Sequence, residues 1–215
     1  MSENRTRARE LAKQARLSGD HAGWLEQLYR EQAQGLDVIS WADMRPNPNL
    51  LEFAGAGKTA LVVGCGFGDD AEKVASWGFQ TTAFDVAPSA VRACKVRFCE
   101  TTVNYVAADV LALPEEWAEN FDFVLEVYTL QVLPPELRSR AIRGVAGLLK
   151  KNGTLLVIAR GRDEREPEGQ MPWPLTRREL EEFTAAGLRE ESFEDYFDRE
   201  SPPVRRFRAT YRRPT

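Results

Sequence analysis

Three glycines on alternate positions, Gly64, Gly66 and Gly68, follow a short apolar run at 60–63 and precede a helix-like segment that opens at Asp69. A strand that ends in such a turn and passes into a helix lets its backbone press against a nucleotide-containing ligand. Glycine makes this possible because it adopts positive φ and has no Cβ to obstruct the approach. About twenty residues further on, the run Thr81-Thr82-Ala83-Phe84 ends in Asp85. A carboxylate at the tip of a second strand can accept hydrogen bonds from both hydroxyls of a ribose. Together these elements predict a parallel α/β sheet that binds a nucleotide-type cofactor.

What is missing narrows the cofactor. A dinucleotide fingerprint needs glycine or alanine three residues after the second glycine, because a pyrophosphate sits on the helix N-terminus there. That position is Asp69, with Asp70 beside it. Two carboxylates repel a pyrophosphate and suit a ligand that carries an ammonium and a sulfonium. A Walker loop is absent too, since Gly57-Lys58-Thr59 precedes the strand and lacks the upstream glycine at the required spacing. S-adenosylmethionine fits better than NAD or ATP.

With Ala108-Asp109 after a third strand and 121–126 as a fourth, the chain resembles the class I S-adenosylmethionine-dependent methyltransferases over roughly residues 40–212. Within them it resembles the branch of thiopurine, tellurite, and thiol or halide methyltransferases. That likeness rests on Trp41, the run Gly68-Asp69-Asp70-Ala71, and Met171-Pro172-Trp173-Pro174 ahead of a helix after the fifth strand. The resemblance implies a Rossmann-like seven-stranded sheet of order 3-2-1-4-5-7-6, strand 7 antiparallel, with helices on both faces. It also implies S-adenosyl-L-methionine as methyl donor and S-adenosyl-L-homocysteine as product. Gly64, Cys65, Gly66 and Gly68 would then form the turn under the methionyl and ribose portions, and Asp85 with Val86 would meet the ribose. Asp109 would contact the adenine amino group, with Val110 and Leu111 beside the ring. Asp69 or Asp70 would face the methionine ammonium or act as a helix cap. Glu126 and Trp41 complete the expected donor set. Relatives often carry an acidic residue two positions before the first glycine; here it is Val62.

The 215 residues are 43% hydrophobic, enough for one globular core. Two parts are expected: 1–40, a helical extension and possible lid, and 41–215, the methyltransferase domain. A net charge of −4 gives no global field toward nucleic acid. The first seven residues have no signal-like apolar core, and no run approaches the roughly 18 apolar residues of a membrane span. Three cysteines form no secreted-type framework. The expectation is a cytoplasmic protein, monomeric or weakly dimeric, with a small-molecule acceptor as its partner and no nucleic acid, membrane or metal. The single histidine, His21, lies far from the sheet in sequence, which argues against histidine bases or metal ligands on the sheet.

Apolar runs at 59–63, 80–84, 103–107, 121–127 and 153–159 predict strands buried on both faces. Helices are expected near 69–76, 88–98 and 135–149. Asp20 is expected to cap one over 21–33, and residues 1–18 to form a frayed helix. Thr176 and Glu179 form a capping-box pair that opens a last helix, closed by Gly187. Two strands follow, at 188–196 and 204–212. The arginines at 205, 206, 208, 212 and 213 face acidic neighbours and read as a self-compensating surface rather than a nucleic-acid patch.

Methyl transfer from a sulfonium to an anion is an in-line displacement that loses charge, so holding the reactants and excluding water does most of the work. A thiolate, selenolate or halide needs no base, which favours a thiol acceptor, with halide or metalloid oxyanion as variants. An O- or N-methyltransferase of a small natural product is the alternative. No catalytic residue stands out. The positioning candidates are Tyr128, to orient an acceptor or wall the pocket, and Arg160 or Arg162, to hold it or pair with loop carboxylates. Trp173 joins Trp41 as a candidate pocket aromatic, and Glu126 and Tyr128 are where a search for a base would begin.

Overall fold

A computed structural model describes residues 3–36, 39, 41–51 and 57–215. Two helices, α1 (Glu3–Ser18) and α2 (Gly23–Ala33), and a single turn, α3 (Pro48–Leu51), precede the sheet. Strand and helix then alternate: β1 (Thr59–Val63), α4 (Asp69–Ser76), β2 (Gln80–Asp85), α5 (Pro88–Arg97), β3 (Asn104–Ala107), β4 (Phe121–Val127), α6 (Pro135–Gly147), β5 (Leu149–Arg160) and α7 (Arg177–Ala185). The antiparallel strands β6 (Arg189–Phe197) and β7 (Arg205–Arg212) close the chain. The seven strands run in the order β3-β2-β1-β4-β5-β7-β6. β7 lies antiparallel to β5 and β6, and every other pairing is parallel. This is the architecture expected from the sequence.

The sheet is buried on both faces because its central strands are apolar at nearly every position. Leu61, Val63 and Val124 face a core shared with α6 and α7, whereas Ala60, Val62 and Leu125 face the one under α4 and α5. The Thr176 side chain caps α7 in a complete capping box with Glu179. The C-terminal arginines compensate as expected: Arg205 meets Asp195 at 2.6 Å, Arg208 meets Glu194 at 2.8 Å and Arg212 meets Glu191 at 2.7 Å.

Three boundaries differ from expectation. α6 stops at Gly147, and Leu149 already pairs with Phe121 across an irregularity in the β4–β5 ladder, so β5 is longer than its apolar run. α2 begins at Gly23, with the Asp20 carboxylate accepting from the amides of Ala22 and Gly23 just ahead of it. α1 is a full helix because Ala8, Ala12 and Ala15 bury one face against α2, with Trp24 and Leu28 in the same cluster. Small alanines give a weak apolar stripe, which hides such a face in the sequence.

Candidate active site

The parallel strands β1, β2, β3, β4 and β5 all end at one edge of the sheet, and their carboxyl ends border a cavity of about 850 Å³. Its donor half begins at the glycine turn. Gly64 (φ +62) and Gly68 (φ +89) are left-handed, and each is packed from behind. A Cβ on Gly64 would stand 2.1 Å from Thr129 Oγ1, and one on Gly68 would stand 2.5 Å from Tyr105 Oη. Gly66 (φ +54) differs: within 4 Å its Cβ would meet only Tyr29 Oη, at 3.2 Å. Gly64 and Gly68 therefore shape the turn, while Gly66 keeps its cavity side open.

At the end of β2, Asp85 Oδ2 accepts from the Gly66 amide (3.0 Å) and Oδ1 from the Ala87 amide (2.9 Å). Each carboxylate oxygen has two acceptor sites, so both keep capacity for a further donor. Burial pushes this carboxyl up to about 6 against the pull of those amides. After β3, Asp109 Oδ1 accepts from the Leu111 amide (2.8 Å) and Oδ2 meets His21 Nε2 (2.9 Å). At the start of α4, Asp69 is held by both terminal nitrogens of Arg97, at 2.5 and 2.7 Å. Asp70 accepts from the Asn47 amide (2.7 Å), and burial raises it to about 6.

The acceptor half lies past β4 and β5. Tyr128 is a non-glycine residue at φ +61, a conformation that costs roughly 1–2 kcal/mol. Its ring is held under the Arg206 guanidinium, 5.0 Å from the centroid. Arg206 in turn grips Asp198 (2.6 Å) and Glu200 (2.5 Å). The buried Gln131 side chain accepts from the Arg160 amide (2.8 Å), and its backbone carbonyl accepts from the Trp173 amide (2.7 Å), fixing the chain beside the cavity. The helical extension closes the remaining side: Ala8, Arg9, His21, Leu25 and Tyr29 all line the space. Glu26 docks α2 by accepting from the Ser89 amide (2.9 Å) and hydroxyl (2.7 Å) in the first turn of α5.

Residues 60–153 match a family described as a methyltransferase domain. Over that segment, which holds the glycine turn, Asp85 and Asp109, the chain is similar to class I S-adenosylmethionine-dependent methyltransferases. Curated relatives of this chain include the ubiquinone biosynthesis O-methyltransferases of Xanthomonas campestris (36% identical over 118 residues, 52% of this chain and 48% of theirs). That of Xanthomonas oryzae is 34% identical over the same shares. The chain thus spans about half the length of the curated relatives it matches. Among solved structures, the N-methyltransferase NodS of Bradyrhizobium japonicum in complex with S-adenosyl-L-homocysteine shares the fold at TM-score 0.72 and 21% identity, over 91% of this chain and 99% of NodS. A 1,6-didemethyltoxoflavin N1-methyltransferase of Burkholderia thailandensis does so at 0.62 and 18%, over 100% and 92%.

Of the residues expected from the sequence, Gly64, Cys65, Gly66, Gly68, Asp69, Asp70, Asp85, Val86, Asp109, Val110, Tyr128, Arg160 and Trp41 all line the cavity. Four do not. Leu111 turns into the core beneath the sheet. Glu126 is sealed under the next turn, where Oε1 accepts from the Thr129 (2.7 Å) and Leu130 (2.8 Å) amides. Its Oε2 has no partner among the described residues, and burial lifts the group to about 7. Arg162 turns away to the carbonyls of Pro174 (3.1 Å) and Glu166 (2.8 Å), pinning its own loop. Trp173 packs in the α1–α2 cluster under the Arg16 guanidinium. Asp69 lines the space but is committed to Arg97, whereas Asp70 accepts from the Asn47 amide.

Sequence reasoning also set His21 apart from the sheet, and the fold of α2 brings it back onto Asp109. Tyr29, Gln131, Arg206 and Arg208 were missed as lining residues. Only the strand alternation of β7 carried a signal for the last two, and that signal does not say which end of the strand meets the cavity.

Proposed function

We propose that this methyltransferase moves the methyl group of S-adenosylmethionine to a small-molecule acceptor that enters as an anion, a thiolate in the first place. The observation that carries this reading is the character of the acceptor half. Arg160, Arg206 and Arg208 line it, and among the described residues no group stands ready there as a base. Glu126 is sealed away, and the acidic side chains of the β6–β7 wall are engaged by arginines. Burial raises the Tyr128 phenol above its usual value, in spite of Arg206. His21 stands with Asp109 at the opposite end.

The donor half fits the cofactor. Asp85 keeps acceptor capacity for the ribose hydroxyls beyond its backbone amides, Asp109 and Val110 border the adenine position, and Gly66 leaves the backbone open to close approach. Asp70 supplies negative charge for the ammonium. When bound, S-adenosylmethionine supplies an electrophilic methyl on a sulfonium. The chain's own part is to align the acceptor by Arg160 and Tyr128, and to keep water out with α1 and α2. A protonated thiol or phenol would need a base, whereas a pre-ionised one needs only orientation.

A second reading, transfer to a phenolate oxygen, draws support from the O-methyltransferase relatives and places the same demands on the site. The experiment that separates them is S-adenosylhomocysteine release from the purified protein with S-adenosylmethionine and a panel of thiols, iodide, selenite, phenols and amines. Turnover with thiols and iodide is expected. Release with phenols alone moves the assignment to oxygen, and release with amines alone removes the anion argument.

A further inference from the structure

Among the described residues, six large apolar side chains are exposed: Leu17, Leu36, Trp41, Met44, Val96 and Phe197. Scattered exposed apolar residues need no explanation, but contiguous ones around an opening do. Trp41, Met44 and Phe197 all line the cavity described above, at 43%, 51% and 67% exposure; the other three do not line it.

The rim is built from two segments far apart in sequence, and they are tied together. The Tyr196 hydroxyl bonds the Asn49 side chain, and Arg208 donates to the Asn49 carbonyl at 3.3 Å. Asn47 is anchored to Asp70 at 2.7 Å, so the strap at 41–49 links the donor end to the β6–β7 wall. Inward of Phe197 on that wall come Arg206, Arg208 and Tyr128. From the mouth inward, the surface therefore passes from apolar to charged, with Arg206 and Arg208 paired to Asp198, Glu200 and Glu194.

From this gradient we infer that the acceptor is amphipathic: its reacting head passes the ion-paired wall, and an apolar alkyl or aryl extension stays on the rim of Trp41, Met44 and Phe197. The inference rests on the transfer reading above and adds a substrate class to it. The rim is continuous with the cavity the acceptor must enter, which favours the acceptor's own body as occupant. A second copy of the chain seated there would close the entrance. Glu194 and Glu200, about half exposed beside the rim (48% and 56%), oppose an anionic bilayer.

The test is a homologous series, straight-chain alkanethiols and 4-alkylphenols of increasing length, read as kcat/KM for S-adenosylhomocysteine release. Each added methylene that reaches the rim should raise kcat/KM about three- to fourfold, the worth of ~0.8 kcal/mol of apolar burial. The slope should flatten in the Met44→Ala/Phe197→Ala variant, with S-adenosylhomocysteine affinity by calorimetry unchanged as evidence of an intact fold. A flat series in the wild-type protein, or an equal slope in the variant, overturns the inference while leaving methyl transfer standing. Release with no member of the series or of the earlier panel overturns both. Self-association by sedimentation that the double variant abolishes assigns the rim to a second copy instead. Variant-sensitive cosedimentation with phosphatidylcholine vesicles assigns it to lipid.

Discussion

The two ends of the cavity are built by different means. The donor end comes from the tips of neighbouring parallel strands: the turn at 64–70 after β1, Asp85 after β2 and Asp109 after β3. Each contributes a few consecutive residues, and most of the geometry is backbone. The acceptor end is collected from the strap at 41–49, Tyr128 and Gln131, Arg160, the Met171 segment and the β6–β7 wall. The charges differ as well: Asp70, Asp85 and Asp109 line one end, whereas at the other Arg206 and Arg208 are paired with Asp198, Glu200 and Glu194. Parallel topology aligns strand tips for any such sequence, whereas the acceptor wall exists only once every long-range contact has formed.

The sharpest way to break the donor-end account is at its glycines. Gly68→Ala places a methyl 2.5 Å from Tyr105 Oη, at φ +89. Backbone strain and overpacking together should cost about 3 kcal/mol or more of stability. Urea denaturation measures this, and S-adenosylhomocysteine binding should vanish with it. Gly66→Ala should cost only about 1–2 kcal/mol of stability yet still abolish donor binding, since its side faces the cavity. Equal loss of stability in both variants would erase the distinction between a shaping and an admitting glycine.

Asp85→Ala should weaken the donor by about 1.5–3 kcal/mol, as charge-assisted hydrogen bonds to hydroxyls are lost. Unchanged affinity by calorimetry in a folded variant would move the ribose elsewhere. The ligand-free protein carries a pH signature at the same place. Folding raises the Asp85 and Asp70 carboxyls to about 6, so the folded state binds more protons than the unfolded one between about pH 4 and 6. Their contribution to stability is full below pH 4 and is lost as pH rises through 6.

Glu126 sharpens the comparison because its charge is buried but does not line the cavity. Its carboxyl is lifted to about 7, so its contribution to stability falls from about pH 4.5 up to 7. Glu126→Gln keeps the acceptor for the Thr129 and Leu130 amides and removes the charge. Stability at pH 8 should rise relative to wild type by more than at pH 4, in paired denaturant titrations, with donor affinity unchanged. A fall in donor affinity would return Glu126 to the binding set.

These cases mark how far the sequence reaches. Asp85, Gly66 and Asp109 were readable because each ends an apolar strand, so chain position and site position coincide. Glu126 lies inside β4 and Leu111 four residues past the end of β3, so the direction of neither side chain follows from a strand tip; the turns that follow set it. Arg160 and Arg162 are two residues apart, yet one lines the cavity and the other pins the 163–166 loop. Nothing local separates them. His21 was hidden for the opposite reason, since only the packing of α2 on α5 through Glu26 and Ser89 returns it to the sheet.

At the acceptor end, Arg160→Ala should raise the acceptor KM about tenfold or more, matching the ~1.5–3 kcal/mol of a hydrogen bond to a charged group, and leave donor affinity alone. Arg162→Ala should leave both unchanged and slightly lower the melting temperature, because its guanidinium serves backbone carbonyls. If the two variants exchange these effects in steady-state kinetics, the acceptor enters by way of the 163–166 loop.

The smallest effect is expected where the helical extension meets Asp109. His21 bonds Asp109 at 2.9 Å with both side chains partly solvated, at 27% and 30% exposure. An exposed contact of this kind is worth ~1 kcal/mol or less. His21→Ala should therefore weaken the donor only two- to fivefold, by loosening α2 and freeing the Asp109 carboxylate to rotate, while the acceptor KM stays fixed. Asp109 keeps the Leu111 amide in that variant, so the carboxylate remains in place to meet adenine. A tighter donor in His21→Ala would reverse the assignment: the imidazole would then compete with adenine for Asp109 Oδ2, and the docked lid would be an obstacle that the cofactor displaces rather than a wall it meets.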